Sequence, residues 1–281
     1  MASSSFSSPY QESDDAPTHK IHSAKQPSNF APATCSNSEE LRRQKREEER
    51  DCLKEAFDFL KLMAKKLKRS QAIVNTSMVF FLKYTRIYSF SNINKFLVAA
   101  AWLLLGAKCR DEPVPIEYLV EWYIYFETKR TSNASKVDIS VSKKEEYSNR
   151  IQEQEFDILC EIGFDCEVDL PNKYIAQFAA SPIGKKIFAK TNCAKYAYMF
   201  MNDSFMTTCA LYYPPQQIAA AAIYMAYIYI CSSDKSSNKL DTSALENSEW
   251  FVSIDETLDL ATITEVKDEI KKCYTKKPSS S

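Results

Sequence analysis

The side chains best able to do chemistry are few in this sequence and badly placed for it. Its 2 histidines, His19 and His22, both fall in a polar N-terminal stretch. That excludes a Ser–His or Cys–His nucleophilic site, and a histidine zinc site, from the part of the chain that can fold. The 9 cysteines include no CxxC pair, the spacing a zinc ribbon or redox motif needs. Cys109, Cys160, Cys209 and Cys231 lie inside or at the ends of apolar helical runs. They read as reduced core residues, which points to cytosol or nucleus. The 3 glycines, Gly106, Gly163 and Gly184, form no glycine-rich phosphate loop. No paired carboxylates stand out either, so the residues give no support to an enzyme and call for no cofactor or metal.

The same glycine scarcity argues for helices joined by loops that need no left-handed turns. The chain has 281 residues, with 36 basic and 37 acidic side chains and a formal net charge of −1. That balance gives no reason to expect direct nucleic-acid binding. The longest apolar runs, Phe96–Cys109 and Ile218–Cys231, are too short to span a bilayer. No N-terminal apolar run resembles a signal peptide.

Residues 1–38 are rich in Ser, Pro and Ala and lack periodicity, so they are expected to be disordered. Leu41–Arg50 (LRRQKREEER) reads as a solvated helical lead-in, or as a nuclear localisation patch at Arg42, Arg43, Lys45 and Arg46. Helical spacing then sets in: Leu53, Ala56, Phe57, Leu60, Met63 and Leu67 share a face. A second helix follows Ser70 as its cap, and a third, Ile93–Lys108, follows Ser91 or Asn92. The third is apolar nearly all round, as a helix buried on every side must be. Helices over Ile116–Phe126 and Lys144–Ile162 complete the set, with a polar loop between them and Gly163 as a C-cap. The pattern then returns. Pro171–Ala180 and Thr191–Phe205 are helical, and Pro214–Ile230 (with QQIAAAAIYMAYIYI) is a second all-round apolar helix. A shift of 120 residues lays it on the third: Val98 meets Ile218, Ala99–Ala101 meet Ala219–Ala221, and Gly106 meets Ala226. A last amphipathic helix covers Thr262–Tyr274. The simplest reading is all-α, with two helical units each wrapped around one small-residue central helix.

Three ordered stretches resemble the cyclin family. NKFLVAAAWLLLGAKCRDEPVPIEYLV (94–120) is similar to the third and fourth helices of a first cyclin box. EFDILCEIGFDCEVDLPNKYIAQF (155–178) resembles the fifth helix, its Gly-Phe-Asp exit and the proline that opens a second box. FMNDSFMTTCALYYPPQQIAAAAIYMA (200–226) looks like the cyclin T and cyclin K branch, and SQAIVNTSMVFFLKYTRIYSF (70–90) fits it too. The resemblance covers about residues 48–275. It implies two tandem cyclin boxes of about five helices each, at 39–166 and 167–275, with a polar C-terminal tail at 276–281. It further implies a regulatory subunit, not an enzyme, that binds and activates a cyclin-dependent kinase as a heterodimer through its first box. The transcriptional types T, K, L and C share this look, so the substrate expected is the C-terminal domain of RNA polymerase II and the compartment is the nucleus, with the cytoplasm second.

By that resemblance Lys108 and Glu155 form a buried pair that hydrogen-bonds the kinase backbone. Leu104, Leu105, Leu159, Phe164 and Cys166 line an apolar groove around it. The residue equivalent to Lys108 in the second unit is Ile228, so only the first unit is expected to grip a kinase. Two departures stand out. Arg110 reverses a charge where relatives carry glutamate. The first helix, DCLKEAFDF, lacks the arginine-and-tryptophan motif with which cell-cycle cyclins dock substrates, which favours a transcriptional role. The alternative is a cyclin-fold general transcription factor, or an adaptor without a kinase. Net charge near zero and the lack of CxxC speak against the former.

Overall fold

The computed structural model describes residues 35–85, 94–131, 140–189, 192–233 and 250–274. The chain divides into two compact units, Met1–Arg42 and Arg43–Ser281. Of the first, the described residues are the opening turns of a helix, α1 (Cys35–Lys66). This helix starts inside the segment expected to be disordered; residues 1–34 lie outside the described residues, as does the expected tail at 276–281.

All else belongs to the second unit. Its first half holds α2 (Gln71–Thr85), α3 (Lys95–Cys109), α4 (Ile116–Thr131) and α5 (Val141–Glu161). Its second half holds α6 (Asn172–Ala180), α7 (Pro182–Ala189), α8 (Cys193–Ser204), the short α9 (Cys209–Tyr212), α10 (Pro215–Ser233), a 3₁₀ turn at Trp250–Ser253, and α11 (Leu260–Lys271) with a 3₁₀ turn over Lys272–Tyr274. No strand occurs among the described residues.

The two apolar helices are central, as their composition requires. Every residue from Phe96 to Ala107 is buried, and α3 packs between α2 and α5. Gly106 permits the close approach to α2: a Cβ there would stand 2.5 Å from Ser77 Oγ. Trp102 stacks on Phe80 with ring centroids 5.2 Å apart. Phe59 of α1 closes the unit edge-on against Phe96 and Tyr123. In the second half α10 packs against α6, α8 and α11, with Ile218–Tyr227 buried.

The halves are joined by more than chain connectivity. α2 packs against α9. Fully buried Asn75 donates to Asn202 Oδ1 across the halves at 3.0 Å and accepts from Gln71 at 3.0 Å. A buried amide bonded on both sides avoids the penalty of an orphaned polar group.

Two expected caps differ. Ser70 does not cap α2; its hydroxyl donates to Glu112 Oε1 at 3.0 Å and ties α2 to the exit of α3. The cap of α3 is Asn94, whose Oδ1 accepts from Leu97 N at 3.3 Å; Ser91 and Asn92 lie outside the described residues. Gly163 does end α5, with φ +62 and its N–H on Cys160 O.

Candidate partner-binding surface

The surface is built where α3 runs out. Burial ends abruptly: Ala107 is fully buried and Lys108 is exposed. The ammonium of Lys108 crosses to α5, donating to Glu155 Oε2 at 2.9 Å and standing 2.8 Å from Oε1. The expected pair therefore forms, but only half of it is buried. The Glu155 side chain is 8% exposed and that of Lys108 is 54% exposed, because the lysine reaches its partner from the rim. Oε1 is close to the cation yet receives no directed hydrogen bond, and water cannot reach it. A buried carboxylate oxygen is an acceptor with capacity to spare.

The apolar residues expected around the pair divide. Leu104 and Leu105 are each 3% exposed and belong to the core, so they back the surface from beneath and do not line it. Leu159 and Cys166 are half-buried against the core. Phe164 is 63% exposed and holds φ +59, immediately after Gly163. Its N–H bonds Leu159 O at 2.9 Å, so the turn that ends α5 fixes where this ring starts.

Two neighbours were not foreseen. Cys109 lies beside Cys166, thiol to thiol; burial, and then the bond to Cys166, push the Cys109 thiol up to about 12. Its place directly after Lys108 was the available signal. Phe156 is 61% exposed directly after Glu155. Arg110, which reverses a charge of the family pattern, turns inward: its Nε donates to Thr76 Oγ1 at 2.8 Å and its Nη2 to Val168 O at 2.9 Å. In the second half, Ile228 at the position equivalent to Lys108 is half-buried and packs on the core.

A separate pocket of about 510 Å³ opens between α1, α3 and α4, over Phe59, Phe96 and Phe126. Its Glu55 and Glu127 are already paired, with Lys95 and Arg130. Among the described residues no group of three or more His, Cys, Asp or Glu could hold a metal ion. No described helix is long and apolar enough to cross a membrane.

No family model matches the sequence. Curated relatives do. The chain is 25% identical over 228 residues to Cyclin-T1 of Mus musculus, covering 80% of this chain and 29% of that protein. It is 24% identical over 220 residues to Cyclin-T of Drosophila melanogaster, covering 77% and 18%. It is 27% identical over 169 residues to Cyclin-T1-2 of Arabidopsis thaliana, covering 60% and 35%. The chain thus spans less than a third of the length of the first two. Among solved structures, a chain of the yeast RNA Pol II CTD kinase CTDK-1 complex superposes with a TM-score of 0.61 at 20% identity, over 82% of this chain and 66% of that one. A chain of the Chaetomium thermophilum CAK complex bound to ATP-γ-S superposes at 0.50 and 16% identity, over 79% and 64%. These two likenesses show the fold, the element order and the paired central helices agree with it, and in sequence the chain is similar to the cyclin-T proteins.

Proposed function

We propose that this chain is the regulatory subunit of a cyclin-dependent protein kinase that phosphorylates the C-terminal domain of RNA polymerase II. The observation that carries the reading is the Lys108–Glu155 pair, with a buried Oε1 still lacking a directed donor. Beside it stands an exposed Phe164 held in the left-handed region. That conformation costs a bulky residue about 1–2 kcal/mol. Strain of this kind persists where the surrounding structure and a function both hold it. The half-exposed ammonium keeps donors for backbone carbonyls of a partner, and the buried Glu155 carboxylate holds that ammonium in place.

Protein kinases are active only when the Lys–Glu ion pair of their N-terminal lobe is assembled, which the position of a mobile helix controls. The chain acts by binding the conformer with that helix inward, and so raises its population. It performs no chemistry of its own in this reading. Only the first box grips the kinase, since the second offers apolar Ile228 where the first offers Lys108. The boxes run over 39–166 and 167–275, and the complex acts in the nucleus. Exposed Arg42, Lys45 and Arg46 support that compartment as a localisation patch.

The test is affinity purification of tagged wild type and Lys108→Glu from the source cells, with mass spectrometry of the bound proteins. Wild type recovers a protein kinase, and the variant keeps its helical circular dichroism but loses the kinase. Equal recovery by the variant defeats the site assignment.

A further inference from the structure

Arg110 is the residue whose sequence position and structural role disagree most. It follows Lys108 and Cys109 at the end of α3, where an exposed charge would face a partner. Instead the backbone of Arg110 closes the helix, its N–H bonding Ala107 O and Lys108 O. Its guanidinium reaches back to Thr76 on α2, a residue fully removed from water. It also reaches forward to the carbonyl of Val168 in the segment linking α5 to α6. A guanidinium presents several N–H groups in one rigid plane, so it can hold two acceptors on separate elements in fixed register; a lysine ammonium cannot do the same.

The linking segment has few other ties to the first box. Glu167 N bonds Asp165 Oδ1, a contact within the segment. Asp169 is held forward to α6 by Lys173 at 2.8 Å and Tyr174 at 2.7 Å. Leu170 and Pro171 are buried. Cys166 touches the Cys109 thiol. Beyond the turn that ends α5, whose Phe164 N–H bonds Leu159 O, the Arg110–Val168 bond returns the segment's backbone to the helices of the first box. Phe164 and Cys166, on the partner-facing side, lie just upstream of that anchor.

We propose that Arg110 is a positioning residue. It clamps the linker to α2 and so sets the Phe164–Cys166 lip against the Lys108–Glu155 pair that a partner must meet. The proposal rests on the kinase-binding reading for its functional consequence, and on the two hydrogen bonds alone for the clamp.

The test uses the full chain and, as probe, the kinase that co-purifies with it, purified separately. Four variants are compared with wild type: Arg110→Ala, Arg110→Lys, Thr76→Val and, as a reference for lost binding, Lys108→Glu. Arg110→Ala raises Kd about tenfold, mainly through faster dissociation, while Lys108→Glu in the same series removes binding. Amide hydrogen exchange quickens across residues 165–169 in Arg110→Ala, and α3 and α5 stay protected. Arg110→Lys recovers part of the affinity, since one ammonium reaches one acceptor. Thr76→Val, isosteric and lacking the acceptor, shows about a threefold loss, and serves where Arg110→Ala fails to fold. Unchanged dissociation and unchanged exchange in Arg110→Ala or Thr76→Val overturn the clamp. Failure of wild type to bind the kinase instead defeats the kinase reading, and the exchange data still decide whether Arg110 holds the linker.

Discussion

A double-mutant cycle on Lys108 and Glu155 separates what the pair does for the fold from what it does for a partner. The perturbations are Lys108→Met and Glu155→Gln, alone and together, each close in size to the residue it replaces. At the observed 2.8 Å separation, the gross Coulomb attraction is about 1.5 kcal/mol at the dielectric of water and about 6 kcal/mol at an effective dielectric of 20. With Lys108 54% exposed and Glu155 8% exposed, solvent screening and desolvation offset most of this. The net coupling in the free chain is then about 1 kcal/mol, read from urea denaturation of the four proteins. A partner that covers both residues removes the screening and supplies hydrogen bonds, so the coupling in binding rises to about 2–5 kcal/mol, or roughly 30- to 5,000-fold in Kd. Titration calorimetry with the purified kinase measures it. A coupling in binding no larger than the coupling in stability refutes the reasoning, because the pair would then be an ordinary surface bridge.

Asn75→Ala strands Asn202 and Gln71 across the two boxes and destabilises the chain by about 1–3 kcal/mol in denaturant melts, and the Asn75→Ala/Asn202→Ala pair costs less than the sum of the singles. Gly184→Ala places a Cβ 1.7 Å from the backbone carbonyl of Phe178, which cannot move aside. It therefore lowers Tm much more than Gly163→Ala, which meets nothing within 4 Å and bears only the left-handed penalty of about 1 kcal/mol. Timed alkylation with iodoacetamide at pH 8, read by mass spectrometry, labels exposed Cys160 first among Cys52, Cys160 and Cys209. Burial pushes the Cys52 thiol up to about 11 and Cys209 to about 12. The Cys209 thiolate fraction at pH 8 is then about one in ten thousand, so both stay unmodified until the chain unfolds.

Much of the fold could be read from composition because its two central helices are extreme. A run such as Phe96–Ala107 has no polar face, so burial on all sides was its only stable placement, and α3 obeys. Caps were harder. Ser70 is a good capping residue by type, but Glu112 offers its hydroxyl a longer-range partner, and Asn94 caps α3 where two earlier residues were equally suited. The short elements, α7, α9 and the turn at Trp250–Ser253, are too brief to show a helical period and are held by packing, as Trp250 is against Phe178. The candidate site was least legible from residues alone. Lys108 and Glu155 are far apart in sequence, and only the family resemblance brought them together before the structure placed them at 2.8 Å. Nothing in the sequence said that Arg110 would turn inward, since its partners are a hydroxyl on α2 and a carbonyl in a loop. Phe156 escaped notice because one exposed aromatic on a charged helix carries no periodic signal.

The most direct measurement is phosphorylation of a synthetic RNA polymerase II C-terminal repeat peptide by the purified partner kinase, with and without this chain. The kinase alone is nearly inactive, and wild type raises its rate at least a hundredfold, on the order of a 3 kcal/mol shift toward the active conformer; Lys108→Glu at the same concentration does not. A kinase that binds the chain but is no faster with it, or is equally activated by Lys108→Glu, contradicts an activating cyclin acting through this surface.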